Sequence, residues 1–163
     1  MYAAGLTLLP ENYDKFKEKF EDVVSKTIEK RLLIQEIEVD LKISLHDIDP
    51  KLMRLLKQIG PFGPKNMHPV FISENLQDTG YGKCVGEEDK HLRFTAKESN
   101  SKSIVGIGFG LGNKLSSITN NKLFSSAYVL DENEWQGNVS LQLMVKDIKW
   151  LNICITKIKT SFI

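Results

Sequence analysis

The chain has 163 residues, 41% hydrophobic and 26% charged, ordinary globular proportions that exclude wholesale disorder and allow one domain with a smaller attached element. A net charge of +1 excludes attraction of nucleic acid by the whole chain and leaves only a local basic patch to supply it. Cys84 and Cys154 stand without a Cys-x-x-Cys pair, which favours reduced thiols in a cytoplasmic setting, and no apolar run approaches the ~20 residues that span a bilayer.

In chain order, Tyr2 to Leu8 is an apolar run with no helix start before it, which reads as the end of an upstream element. Residues 1–9 lack the basic leader and cleavage site of a signal peptide. Tyr13, Phe16, Phe20, Val23, Val24 and Ile28 recur at gaps of three and four, which predicts a helix that Pro10 opens and Glu11 and Asp14 favour at its positive start. Ile37, Val39, Leu41, Ile43 and Leu45 alternate with polar residues and predict a strand with one buried face. Asp49-Pro50 supplies a helix cap and first turn. Leu52, Leu55, Leu56 and Ile59 give the following short helix its apolar face, and Gly60-Pro61 ends it.

From Val70 onward the pattern is all strand. Residues 70–85 suggest one long strand bent at Gly80 and Gly82, followed by a polar turn over Glu87 to Lys90. Strands are expected at 91–97 and 104–109, a short helix at 112–119, and strands at 124–130 and 139–148 joined through 133–138. Three strands, a small helix and two strands is the order of an OB-fold-like five-stranded barrel, so the fold class is α+β and mainly β. The expected division is a strand-helix tail of an upstream domain over 1–31, a connecting strand, helix and turn over 32–69, the barrel over 70–150, and an unassigned segment over 151–163.

The chemistry-bearing residues are few. Gly106, Gly108, Gly110 and Gly112 miss the dinucleotide spacing, and no Gly-Lys-Ser/Thr follows, so close backbone packing in a small barrel explains them better than a phosphate loop. Asp49 is explained as a cap and Asp47 by the adjacent turn. His46, His68 and His91 share no metal spacing with the cysteines, so no metal site and no catalytic constellation is expected. Lys51, Arg54, Lys57 and Lys65 lie in a stretch without acids, ordinarily a solvated face and otherwise a phosphate-facing patch. In the 91–97 strand, His91, Arg93, Thr95 and Lys97 share the side opposite Leu92, Phe94 and Ala96 and form a polar stripe, which Lys90 and Lys102 in the flanking turns extend. Phe109 and Trp135 are the aromatic groups available to stack on bases, weighed evenly against packing roles.

Four motifs in order carry a family resemblance. They are Ala3-Ala4-Gly5-Leu6-Thr7-Leu8, Pro61-Phe62-Gly63-Pro64-Lys65-Asn66, His91-Leu92, and Leu141-Gln142-Leu143-Met144-Val145-Lys146-Asp147. Together they resemble the RecJ family, exonucleases specific for single-stranded DNA within the DHH phosphoesterase superfamily. In that family a Gly-Gly-His motif precedes the Ala-Ala-Gly-Leu-Thr-Leu segment, and this chain starts inside the motif.

The resemblance implies degradation of single-stranded DNA from its 5′ end with manganese or magnesium held by a DHH domain. None of that domain is in the sequence, so the expectation is a piece without a cofactor of its own that is inactive alone. Its partners are then single-stranded DNA, weakly held on Lys90, His91, Arg93, Lys97, Lys102, Phe109 and Trp135, and the upstream catalytic domains. Ala3, Ala4, Gly5, Pro61, Phe62, Gly63 and Asn66 are expected as structural motif positions, with Phe62 anchoring the short helix to the barrel and Gly63 allowing the turn. The alternative is a structural barrel that docks on neighbouring domains without touching DNA.

Overall fold

In the computed structural model, which describes residues 5–29, 33 and 36–150 (Trp150 by its backbone alone), the chain divides into two units between Glu36 and Ile37. In the first, Pro10 opens a 3₁₀ turn over Pro10–Asn12 that runs into helix α1, Tyr13–Thr27. Asp14 in the first turn and Lys26 in the last complement the helix dipole. The expected apolar stripe is present, with Phe16 and Phe20 ring centroids 5.7 Å apart, but Tyr13, Phe16, Phe20 and Val23 are all exposed. Gly5–Leu9 form no regular element, and Ala3 and Ala4 lie outside the described residues, as does the 151–163 segment.

The second unit holds strands β1 (Leu41–Lys42), β2 (Phe71–Asp78), β3 (Lys83–Val85), β4 (His91–Lys97), β5 (Ile104–Gly108), β6 (Phe124–Trp135) and β7 (Asn138–Trp150). Helix α2 spans Pro50–Gln58 and α3 spans Leu115–Ile118. The sheet runs β1-β2-β6-β7-β5-β4-β3, and a further β2–β4 pairing closes it. The closed ring is β2-β6-β7-β5-β4, with β5 and β7 parallel and β1 and β3 as outer additions. This is the expected five-stranded barrel with a small helix between its third and fourth strands. Phe94, Leu92, Leu76, Phe124, Tyr128, Leu143 and Ile148 fill it.

Several local expectations are corrected. The alternation over 37–45 yields only a two-residue strand, because the Ser44 hydroxyl accepts the His46 N–H and the Glu98 carboxylate accepts the Leu45 N–H, which turns the chain into a 3₁₀ turn. Leu45, Ile48 and Met53 join the barrel core, so the 32–69 stretch adds to that core as well as connecting. Asp49 caps α2 through Leu52 N–H at 2.7 Å, as expected. The buried face of α2 is Leu52, Met53 and Leu56, whereas Leu55 and Ile59 are exposed.

In the Pro61–Asn66 turn, Gly63 and Asn66 exchange backbone hydrogen bonds, and the Asn66 amide donates to the carbonyls of Ile59 and Pro61. The positive φ, 74°, belongs to Lys65, so Gly63 is not the residue that permits the turn. Residues 70–85 are two strands. The Asp78 carboxylate accepts the N–H groups of Gly80 and Gly82 and that of Thr95 on β4, which reverses the chain and lays β3 beside β4. The 133–138 connection is a hairpin whose two-residue turn, Gln136-Gly137, has φ of 50° and 78°.

Candidate nucleic-acid interface

Strand pleating decides which residues share the outer surface of the barrel. On β4, Leu92, Phe94 and Ala96 are fully buried, while Arg93 and Lys97 are exposed and His91 and Thr95 half-exposed on the other side. The Gly106 backbone lies under the Phe94 ring, where a Cβ would stand 2.7 Å from Cζ, and a Cβ on Gly112 would stand 2.1 Å from the Asp89 carbonyl oxygen. These glycines serve close packing.

Register extends the outer surface across strands. Lys83 pairs with Arg93, Arg93 with Ile107, and Ile107 with Met144, a row that crosses β3, β4, β5 and β7. The next row holds Thr95, Val105 and Gln142, and on the other side Val85 pairs with His91. Lys83 and Arg93 are thus like charges directly opposite each other, an arrangement that destabilises a sheet unless an anion offsets it. Both are exposed, and neither has an ion-pair partner among the described residues. Lys83 was missed in the sequence because 81–85 reads as a continuation of the preceding strand. The signal that could have revealed it is Asp78 followed by Gly80 and Gly82, a turn that sends Lys83 back along Arg93.

The remaining expected residues fall at two ends. At one, the His91 and Phe109 rings meet edge to face with centroids 5.1 Å apart, and His91 Nδ1 accepts the Gly110 N–H at 3.1 Å. Phe109 is 62% exposed, so it is no core residue. Lys90, beside this end, is ion-paired with Glu88 at 2.6 Å. At the other end are Lys97, the loop carrying exposed Lys102, and Trp135 beside the β6–β7 turn, 70% exposed. Phe109 and Trp135 do not meet.

The Lys51–Lys65 stretch is partly neutralised, since Lys57 pairs with Glu132 at 2.5 Å. Phe62, half-buried, stacks on His68 with centroids 4.0 Å apart. It lines a cleft of about 240 Å³ with Met53, Leu56, Phe71 and Leu130. Among the described residues no group of three or more His, Cys, Asp and Glu could hold a metal, so those residues do not fit the manganese or magnesium that the family resemblance implies. No helix among them is long and apolar enough to cross a membrane.

Comparison with known proteins agrees with this architecture. Residues 39–147 match the model of the RecJ OB domain. The chain is 27% identical over 147 residues to the single-stranded-DNA-specific exonuclease RecJ of Bacillus subtilis, covering 89% of this chain and 18% of that protein. It is 29% identical over 149 residues to the protein of the same name from Escherichia coli, covering 90% and 25%. The crystal structure of RecJ in complex with Mn2+ from Thermus thermophilus superposes with a TM-score of 0.66 at 17% identity, covering 91% of this chain and 20% of that one. The chain therefore spans a quarter or less of the length of the relatives it matches.

Proposed function

The chain belongs to the RecJ OB-domain family, and from that premise we propose that it is a non-catalytic module of a 5′-to-3′ single-stranded-DNA exonuclease, guiding the strand in repair and recombination in the cytoplasm. Single-stranded DNA lies on the outer face of β4. Manganese or magnesium and the cleavage chemistry belong, in this reading, to a separate catalytic part. The observation that carries the proposal is the unpartnered Lys83–Arg93 couple, since a phosphate between two opposed cations offsets their repulsion. OB-folds bind oligonucleotides on the face of their second and third barrel strands, here β4 and β5.

The test is a titration of the 163-residue chain with labelled single-stranded DNA at several salt concentrations, repeated for Lys83→Ala combined with Arg93→Ala. Each lost phosphate contact should flatten the plot of log affinity against log salt by ~0.7. The double variant, which loses the one phosphate held between the two cations, is therefore expected to bind more weakly with a slope shallower by about 0.7. Equal affinity and slope would remove the DNA from this face.

A second reading, a barrel that docks on protein, is favoured by the apolar cleft at Phe62. Substituting Leu56 by Arg there should leave DNA binding unchanged under the first reading.

A further inference from the structure

The geometry points to a length threshold: the DNA-binding face carries two base-stacking platforms at opposite ends, Phe109 and Trp135, and a single strand must bridge both to bind at full strength. This rests on the reading of the face as a single-strand site and adds what that site measures.

Both rings lie on the outer side of the barrel. Phe109 comes directly after Gly108, the last residue of β5, and its edge-to-face contact with His91, an outer residue of β4, places the ring on that side. Trp135 follows Asp131 and Asn133 at alternate positions of β6, and Asp131 pairs with Gln142, which pairs with outer Val105. The register also fixes their separation. Ile107 stands level with Met144, so Phe109 stands near the level of residue 146, and Trp135 stands opposite Asn138. Eight residues along the strands are about 26 Å at ~3.3 Å per residue. A stacked strand advances about 3.4 Å per nucleotide, so roughly eight nucleotides reach from one ring to the other, within the ~4–16 that OB-folds cover.

The two platforms differ in setting. The Phe109 end lies next to the Lys83–Arg93 couple. At the other end Lys97 and the loop of Lys102 supply the cations, while Trp135 itself is flanked by Asn133, Glu134, Gln136 and Asn138, so the indole offers stacking and not charge. A bare indole amid acids and amides, 70% exposed, has little packing role, yet stacks equally well on any base.

The experiment titrates the 163-residue chain, Trp135→Ala, Trp135→Phe and Phe109→Ala with a tetranucleotide and a dodecanucleotide of thymidylate, at low and moderate salt. Trp135→Ala should weaken the dodecanucleotide roughly 5- to 150-fold, the equivalent of about 1–3 kcal/mol per stacked base, and leave the tetranucleotide unchanged. Its salt slope should equal the parent's, Trp135→Phe should restore part of the loss, and thermal melting should be unaltered. Phe109→Ala should weaken both oligonucleotides. A dodecanucleotide that binds Trp135→Ala as tightly as the parent overturns the bridging, and so does an equal loss for both lengths. If that result comes with weakened binding by the Lys83 and Arg93 double variant, the face remains the DNA site and only the bridging falls. If the double variant also binds like the parent, both readings fall.

Discussion

Tyr128 joins the barrel's interior to the segment before α2. Its phenol, fully enclosed, lies 2.7 Å from Ser73 Oγ, and that hydroxyl donates to the Ile43 carbonyl at 2.8 Å. With the serine proton committed to Ile43, Tyr128 is the donor in its pair. Burial, the dominant cause, pushes the phenol far above its ordinary 10.0. The unfolded chain therefore releases this proton first as pH rises. The stability it contributes is complete below about pH 10 and falls above it by about 1.4 kcal/mol per pH unit. Tyr128→Phe should cost about 1 kcal/mol at neutral pH and remove one such slope from the alkaline decline, read by denaturant unfolding across pH. Phe62→Ala should cost about 2 kcal/mol in the same measurement, below the ~3–5 of an enclosed phenylalanine, because the ring is half-buried beside the open cleft. From the sequence, Phe62 is expected to be an anchor. The sequence could not reveal that the ring is half-open, since that depends on His68 and Phe71 arriving from later in the chain.

At the scale of elements, periodicity located β4, β5, α1 and α2 within a residue or two and gave the correct inner and outer sides of β4. It failed where a side chain overrode the pattern. Ser44 and Glu98 end β1 early, and Asp78 breaks the supposed long strand into β2 and β3. Asp78 is thus the residue that positions Lys83. Asp78→Ala leaves three N–H groups without their acceptor and should cost about 2–3 kcal/mol. It should also weaken single-strand binding by freeing β3, so affinity and melting temperature are expected to fall together. Gly106→Ala, which presses a methyl into the Phe94 ring, should destabilise by about 1–3 kcal/mol and leave the outer face and its salt slope intact.

For the whole molecule, the order of strands and helix was enough to name the barrel class, because short strands separated by turns leave few alternatives. The candidate site was legible only as one stripe. His91, Arg93 and Lys97 share a strand, so alternation alone groups them, whereas the Lys83–Arg93 and His91–Phe109 partnerships depend on cross-strand register that no local pattern encodes. The near-zero net charge hides a local concentration of cations on one surface, while Lys57, which looked free in its acid-poor stretch, is matched by Glu132 from 75 residues away. The central claim is that a single strand lies across β3, β4 and β5. Amide chemical shifts of the isotope-labelled chain, recorded during titration with a dodecanucleotide, test it most directly. The account predicts that the largest changes fall on residues 83–85, 91–97 and 104–110 and, with an oligonucleotide of this length, on Trp135; changes concentrated instead on Lys51, Arg54 and Lys65 would contradict it.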